Sequence, residues 1–276
     1  MIRTHYRRLA VLTGALLIAA CATHSTTQTT AAALDRILAG DQRSQENRAR
    51  DRYRHPKATL LFFGIRPEMS VLEVWPEPGW YTEVLAPLLQ EKGHYYAGVI
   101  AADPNSQYVT RRLEEFQQKL AARPDLYGRV TVATFAPDGA DVVPPGTLDM
   151  VLTFRNIHNW MARDQAAAAF ATMYRALKPG GVLGVVEHRG NPAVPQDPKG
   201  KSGYVNEDYA IKLIESQGFR LEASSQVNSN PKDTKDYEQG VWTLPPSYRL
   251  GDKDRDKYAA IGESDRFTLK FVKPAK

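Results

Sequence analysis

Short apolar segments with the composition of buried strands alternate with helical patterns through most of this chain. Strands that alternate with helices form βαβ units, in which helices cover both faces of a parallel sheet. The pattern therefore predicts an α/β fold with a doubly wound, mainly parallel sheet. The seven predicted strands are Val71–Val74, Tyr95–Ile100, Val130–Phe135, Leu148–Phe154, Val182–Val186, Phe219–Ala223 and Phe267–Val272.

A helical pattern at Leu34–Arg54 precedes the first strand. Leu34, Ile37 and Leu38 form a short apolar face, and the dense charged run that follows them is typical of a solvated surface. Later in the chain, Lys178–Gly181 follows an alanine-rich helical pattern and predicts a helix stop and a tight turn.

The N-terminus resembles a bacterial lipoprotein signal. Arg3, Arg7 and Arg8 form a positive region, and Leu9–Ala20 is an apolar stretch too short to span a bilayer comfortably. Small residues then precede Cys21, the only cysteine. The resemblance implies removal of residues 1–20 and acylation of Cys21; an uncleaved anchor or an ordinary secretory signal are the alternatives.

This resemblance sets the expected domain organisation and location. Residues 21–33, rich in Thr, Ala, Ser and Gln, form a flexible tether, and residues 34–276 form the domain. Ala22 after the acylated cysteine favours the outer membrane, so we expect a lipid-anchored protein on the periplasmic side of the cell envelope. With its single thiol acylated, the domain has no disulfide.

Charge excludes one class of partner. The net charge is +5, and removal of the three signal arginines leaves +2. Such a small charge gives no support to nucleic-acid binding. We therefore expect a small-molecule or envelope-associated substrate, with the membrane contacted through the N-terminal lipid.

The loop after the first predicted strand carries the main functional pattern. Ligands of doubly wound sheets bind outside the carboxyl ends of the strands. Here Glu73 ends the strand, and Trp75, Glu77 and Gly79 follow at alternate positions. This arrangement resembles the first motif of class I S-adenosylmethionine-dependent methyltransferases, in which an acid and three glycines precede a helix. The resemblance implies that Glu73 takes the ammonium of the methionyl group and that Trp75 and Gly79 lie against the cofactor. Only Gly79 keeps the glycine pattern, and Glu77 places a charged side chain where the cofactor would press on the backbone.

The likeness extends over nearly the whole domain, to a little-characterised group of methyltransferase-like bacterial lipoproteins and exported proteins. It implies a Rossmann-like methyltransferase fold with an N-terminal helix. The segments that carry it are Phe62–Ile65, Leu152–Trp160, Leu177–Gly181, Glu187–Arg189 and Asp265–Phe267, together with the Trp75-Pro76 and Gly79-Trp80-Tyr81-Thr82 sequences.

The same resemblance assigns roles to three further residues. Asp103, after the second strand, corresponds to the acid that accepts hydrogen bonds from the ribose; a plain turn aspartate before Pro104 is the alternative. The loop after the fourth strand faces the transferred methyl group, which places Asn156 among the cofactor contacts. His158 in that loop is a candidate general base, since an imidazole can take up a proton; the alternative is a histidine that packs against Trp160 and bonds to the backbone.

Other polar residues at this rim admit more than one interpretation. Glu187 and His188 end the fifth strand, but with His158 they lack the spacing of a zinc site, so we predict no metal. Arg155 and Arg189 either pair with acids of the rim or hold an acidic group of a ligand.

Two functions follow from these observations. The first is an S-adenosylmethionine-dependent methyltransferase of unknown acceptor. The second is a non-catalytic binding or structural lipoprotein that kept the sheet and lost the cofactor loop, which Glu77 and the location outside the cytoplasm favour.

Overall fold

A computed structural model describes residues 27–275; the predicted signal peptide and Cys21 lie outside the described residues. Seven strands form one sheet in the order β3-β2-β1-β4-β5-β7-β6. Neighbouring strands are parallel except β7, which is antiparallel to both β5 and β6. This confirms the predicted fold class. The strands are β1 (Ser70–Val74), β2 (His94–Ile100), β3 (Thr131–Phe135), β4 (Leu148–Phe154), β5 (Leu177–His188), β6 (Arg220–Ser225) and β7 (Arg266–Val272).

Helices cover both faces of the sheet. The described part of α1 spans residues 27–39. The other helices are α2 (Gln45–Ala49), α3 (Asp51–Arg54), α4 (Pro56–Phe63), α5 (Thr82–Leu89), α6 (Gln107–Ala122), α7 (Pro124–Tyr127), α8 (Ile157–Ala162), α9 (Ala166–Ala176), α10 (Glu207–Glu215) and α11 (Arg255–Ile261), with a 3₁₀ turn at Gly240–Thr243. Within residues 27–275, no helix has the length and apolarity needed to cross a membrane.

Successive residues of each strand point to opposite faces, and this alternation builds two cores. Leu72 and Val74 of β1 belong to the core that contains Trp160 of α8 and Phe170 of α9. Val71 belongs to the other core, which holds residues of α1, α4, α5 and α6. Glu73 shares the face of Val71 but lies at the end of the strand, where the core meets the loops.

The N-terminal region differs from the sequence prediction. Residues 27–33, predicted as tether, are helical, because Thr30 and Leu34 lie one helical turn apart and are both fully buried. The predicted helix 34–54 breaks at Gly40 into three short helices.

The charged run within that segment is not simply a solvated surface. Arg43 and Arg54 are buried, and Arg43 pairs with Asp51 at 2.6 Å. Asn47 donates to the buried carboxylate of Glu83 in α5 at 2.8 Å. These long-range contacts fix the N-terminal helices against the sheet, and local periodicity gives no indication of them.

The predicted turn at Lys178–Gly181 is also wrong. These residues belong to β5, and the strand continues from Leu177, which pairs with Leu148 of β4, through a bulge. Gly180 adopts a φ of 78° and donates its N–H to Lys273 beyond β7 at 2.8 Å. The residue that follows β7 therefore holds in the sheet a segment whose composition is typical of a turn.

Candidate active site

The carboxyl ends of β1, β4 and β5 open into a cavity of about 600 Å³, a volume in the range of small-molecule sites. A second cavity of about 170 Å³ adjoins the end of β2 and the start of α6. Both are lined by Trp75, Glu77, Tyr108, Arg112, Asn156 and Asn159.

Glu73 lies in the wall of the larger cavity with a side chain that is almost fully buried. It accepts a hydrogen bond from the Tyr95 hydroxyl at 2.7 Å, and that hydroxyl contacts Thr82 at 2.9 Å. Burial raises the pKa of Glu73 to about 8, and the nearby charge of Glu77 acts in the same direction. The carboxyl is therefore mostly protonated at neutral pH until a cation approaches it.

Trp75 forms a wall of both cavities and fills neither. Its backbone has a φ of 52°, and the indole Nε1 donates to the carbonyl of Phe135 at the end of β3, at 3.1 Å. The indole also packs against the Trp160 ring, 5.5 Å between centroids. These contacts hold the side chain across the sheet edge from β1 towards β3.

The resemblance to the methyltransferase motif suggests that the Glu77 side chain projects into the middle of the loop. The structure shows that it does not. Its Oε1 accepts the backbone N–H of Ile100 at 2.8 Å, so the carboxylate lies at the carboxyl end of β2. Burial raises its pKa. The side chain consequently places an acid at the strand end where an acid was expected from Asp103.

Gly79 and Asp103 line neither cavity. Gly79 has a φ of 93°, and a Cβ there would meet Lys119 Cδ of α6 at 2.9 Å, so its small size serves close packing of the loop on that helix. Asp103 is exposed and accepts the N–H of Asn105 at 3.0 Å, which is the geometry of the turn aspartate given as the alternative.

Asn156 joins the ends of two central strands. Its Nδ2 donates to the carbonyl of Val74 in β1 at 3.0 Å and to the hydroxyl of Thr153 in β4 at 3.1 Å. The side chain is buried and lines both cavities. The predicted contact residue is thus at the centre of the site.

His158 also lines the larger cavity, on the helix α8 that sequence analysis missed. Its Nδ1 lies 3.2 Å from Oε1 of Glu187, and Oε2 of the same carboxylate accepts the N–H of Ile157 at 2.7 Å. The carboxylate makes Nδ1 the protonated nitrogen and leaves Nε2 as a proton acceptor. His158 therefore has the tautomer that a general base requires.

One ligand atom from each of His158, Glu187 and His188 lies within 4.8 Å of the others. The donor set is nevertheless poorly suited to a cation. Glu187 already accepts three backbone N–H groups, including that of His188 at 2.8 Å, and His188 Nδ1 contacts the hydroxyl of Ser264 at 2.5 Å. Burial, then His158 and three neighbouring arginines, lower the pKa of His188, and the same positive field opposes a metal ion.

Sequence analysis missed a group of arginines at the opposite wall. Arg50, Arg54 and Arg266 line the cavity and all bond to the carboxylate of Glu263. Although burial opposes ionisation, these guanidinium groups hold the pKa of Glu263 below its ordinary range. In the sequence, these arginines are indicated only by two features, the charged run before Pro56 and the segment Asp265–Phe267. Of the two arginines singled out, Arg189 pairs with Glu207 and Asp265, whereas Arg155 faces the cavity.

Comparison with known proteins shows the fold and no closer relationship. No family model and no curated protein sequence matches the chain. Among solved structures, a SAM-dependent methyltransferase from Aquifex aeolicus is 17% identical, with a TM-score of 0.55 over 82% of this chain and 93% of that one. The [4+2]-cyclase SpnF is 16% identical, with a TM-score of 0.57 over 86% of each chain. A geranyl diphosphate methyltransferase in complex with SAM is 11% identical, with a TM-score of 0.54 over 80% of this chain and 85% of that one.

The raised pKa of Glu73 predicts a pH-dependent loss of stability. The unfolded carboxyl ionises near its ordinary pKa of 4.5, whereas the folded one holds its proton to about pH 8, so the free energy of unfolding falls as pH rises between these values. Glu73→Gln removes this loss and should exceed the wild type in stability by a few kcal/mol at about pH 8, since each pKa unit corresponds to roughly 1.4 kcal/mol. Urea denaturation at about pH 5 and pH 8 measures both slopes. Equal slopes in the two proteins would contradict the shift.

Proposed function

We propose that this protein is an S-adenosylmethionine-dependent methyltransferase that acts on a small or envelope-associated acceptor. The observation that carries the proposal is the buried acid Glu73 in the wall of a cavity of about 600 Å³, at the carboxyl end of β1. A buried carboxyl that gains its charge when a cation approaches suits the ammonium of the methionyl group. When bound, the cofactor supplies an electrophilic methyl group on sulfur.

The residues of the site divide into those that bind and those that act on the acceptor. Glu73 holds the ammonium, and Asn156 and Trp75 shape the space above the strand ends. Glu77, at the end of β2, takes the ribose hydroxyls in place of Asp103. His158, oriented by Glu187, accepts a proton from an acceptor nucleophile.

A non-catalytic role is the competing proposal. Gly79, the one glycine kept from the pattern, packs on α6 and lines neither cavity, so the loop does not cradle a ligand with glycine backbone. The cyclase among the structural neighbours illustrates only that this fold does not by itself imply methyl transfer.

Calorimetry with S-adenosylhomocysteine separates the two proposals. We expect the purified full-length protein to bind one equivalent, and Glu73→Gln to weaken binding about tenfold or more, because a neutral amide lacks the charge that pairs with an ammonium. Glu114→Gln, which removes an exposed acid of α6, is the matched control and should bind like the wild type. Absence of binding at millimolar ligand would leave the non-catalytic proposal.

A substitution of Glu77 provides a second test, because the two proposals predict opposite changes in the affinity for S-adenosylhomocysteine. If its carboxylate contacts the ribose, Glu77→Gly should weaken S-adenosylhomocysteine binding by about tenfold, since a charge-assisted hydrogen bond is lost. Asp103→Ala should have little effect, because that side chain closes an exposed turn. A marked gain of affinity in Glu77→Gly, measured in the same titration, would instead show that the natural loop is degenerate.

We further propose that Cys21 carries lipid and anchors the domain to the periplasmic face of the envelope, at the outer membrane. The support is the small-residue sequence before the chain's only cysteine. Metabolic labelling with a radioactive fatty acid should mark the wild type and leave Cys21→Ser unlabelled and its signal uncleaved. Equal labelling of both proteins would contradict the anchor.

A further inference from the structure

Four arginines from distant parts of the chain meet at one wall of the larger cavity. Arg50 lies between α2 and α3, Arg54 ends α3, Arg155 follows β4, and Arg266 begins β7. All four line the cavity, and we call them the arginine wall. Such convergence places several strong hydrogen-bond donors around one volume.

Within residues 27–275, Glu263 is the one carboxylate that bonds to any of these four cations, and Glu187 acts on Arg155 through its charge without bonding to it. Glu263 accepts from Arg50 at 2.5 Å, from Arg54 at 3.3 Å and from Arg266. The other acids that line the cavity do not compensate the excess. Glu73 has its pKa raised to about 8 by burial, and Glu77 bonds to the end of β2.

Several donors of the wall have no acceptor. Arg54 Nη2 and Arg266 Nε are buried and lack a hydrogen-bond partner, although both residues are less than 5% exposed. Among residues 27–275, no hydrogen bond or ion pair to the Arg155 guanidinium is found. Buried donors are costly when unpaired, which applies to Arg54 and Arg266, while the half-buried Arg155 guanidinium faces the cavity. This arrangement indicates a partner that the described residues do not provide.

Electrostatics agree with this geometry. Burial, followed by the charges of Arg266 and Arg50, lowers the pKa of Arg155 to about 10. Burial and the neighbouring Arg155 likewise lower the pKa of Arg54. The groups repel one another, and an anion between them would relieve that repulsion.

The wall is held in place before any ligand arrives. The Arg54 guanidinium lies 4.6 Å from the centre of the Trp80 ring, and Arg266 also donates to the carbonyl of Tyr53 at 3.3 Å. A small void of about 10 Å³ between Arg54, Arg155 and Arg266 has room for roughly one water molecule. A water supplies an acceptor but no charge, so it does not balance the wall.

We propose that the arginine wall binds an anionic oxygen group, a phosphate or a carboxylate, of the acceptor. The N–H donors of a guanidinium group match the geometry of phosphate and carboxylate oxygens and form two parallel hydrogen bonds to them. The single carboxylate of the cofactor would leave part of the excess charge uncompensated, which favours a further anionic group on the second substrate. The assignment to an acceptor rests on the proposed function, whereas the anion site itself can be measured without it.

Calorimetry of the full-length protein with inorganic phosphate, in a phosphate-free buffer of low ionic strength, tests the site. We expect saturable binding that Arg155→Gln weakens about tenfold or more. Arg155 has no hydrogen-bond or ion-pair partner among the described residues and is repelled by the other arginines, so its loss should not lower the thermal unfolding temperature. Arg220→Gln is the matched control, because it also removes one arginine charge. Arg220 lies at the exposed start of β6, at the end of the sheet opposite the cavity, so this variant should bind phosphate like the wild type. No saturable binding, or equal weakening by both variants, would overturn the site.

Two further titrations identify the source of the anion. With saturating S-adenosylhomocysteine present, phosphate should bind with unchanged affinity, because the acceptor group and the cofactor occupy different places. Displacement of phosphate by S-adenosylhomocysteine but not by 5′-methylthioadenosine, which lacks the amino-acid carboxylate, would assign the wall to the cofactor and overturn the acceptor proposal. Phosphate binding that needs Arg155, together with no binding of S-adenosylhomocysteine, would remove the methyltransferase proposal and retain the anion site.

Discussion

The parallel pairing of β1 with β4 is the constraint on which the site depends. It aligns Val74 with Thr153, and the amide of Asn156 then ties the two strand ends together. Because parallel strands end at the same edge, Glu73 and the β4–α8 loop face one volume. At the sides of that volume, Glu77 of the loop after β1 bonds to the end of β2, and Glu187 near the end of β5 bonds to the start of α8.

Three buried acids at the carboxyl ends of the strands are each stabilised in a different way. Glu73 has a single tyrosine donor and keeps its proton. Glu187 accepts backbone N–H groups at the start of α8 and orients His158, and Glu263 is held ionised by arginines. Under the proposed function, the first pairs with the ammonium of the cofactor and the second orients the proton acceptor, whereas the third leaves an excess of positive charge around it. These differences in environment divide the cavity into regions of distinct chemistry.

Much of this was predictable from local patterns. Strand and helix periodicity gave the fold class and the position of the site, and Glu73, Asn156 and His158 all line the cavity. The departures have one cause, which is that packing overrides local composition. Residues 27–33 are helical because Thr30 is buried in the fold, and Lys178–Gly181 join β5 because Gly180 and Gly181 exchange backbone hydrogen bonds with Lys273, beyond β7. Gly79 matches the glycine pattern of the motif but lines neither cavity, since it packs on α6.

The sequence by itself determined that this chain forms a doubly wound sheet with an acid at the end of its first strand, because hydrophobic alternation acts over neighbouring residues. Only the tertiary structure decided where the side chains of Glu77 and Trp75 lie, since their hydrogen-bond acceptors and donors belong to β2 and β3. It alone also assembled the arginine wall. Arg54 and Arg266 are 212 positions apart in the numbering and meet through Glu263, and ion pairs of that separation leave no local periodicity to detect.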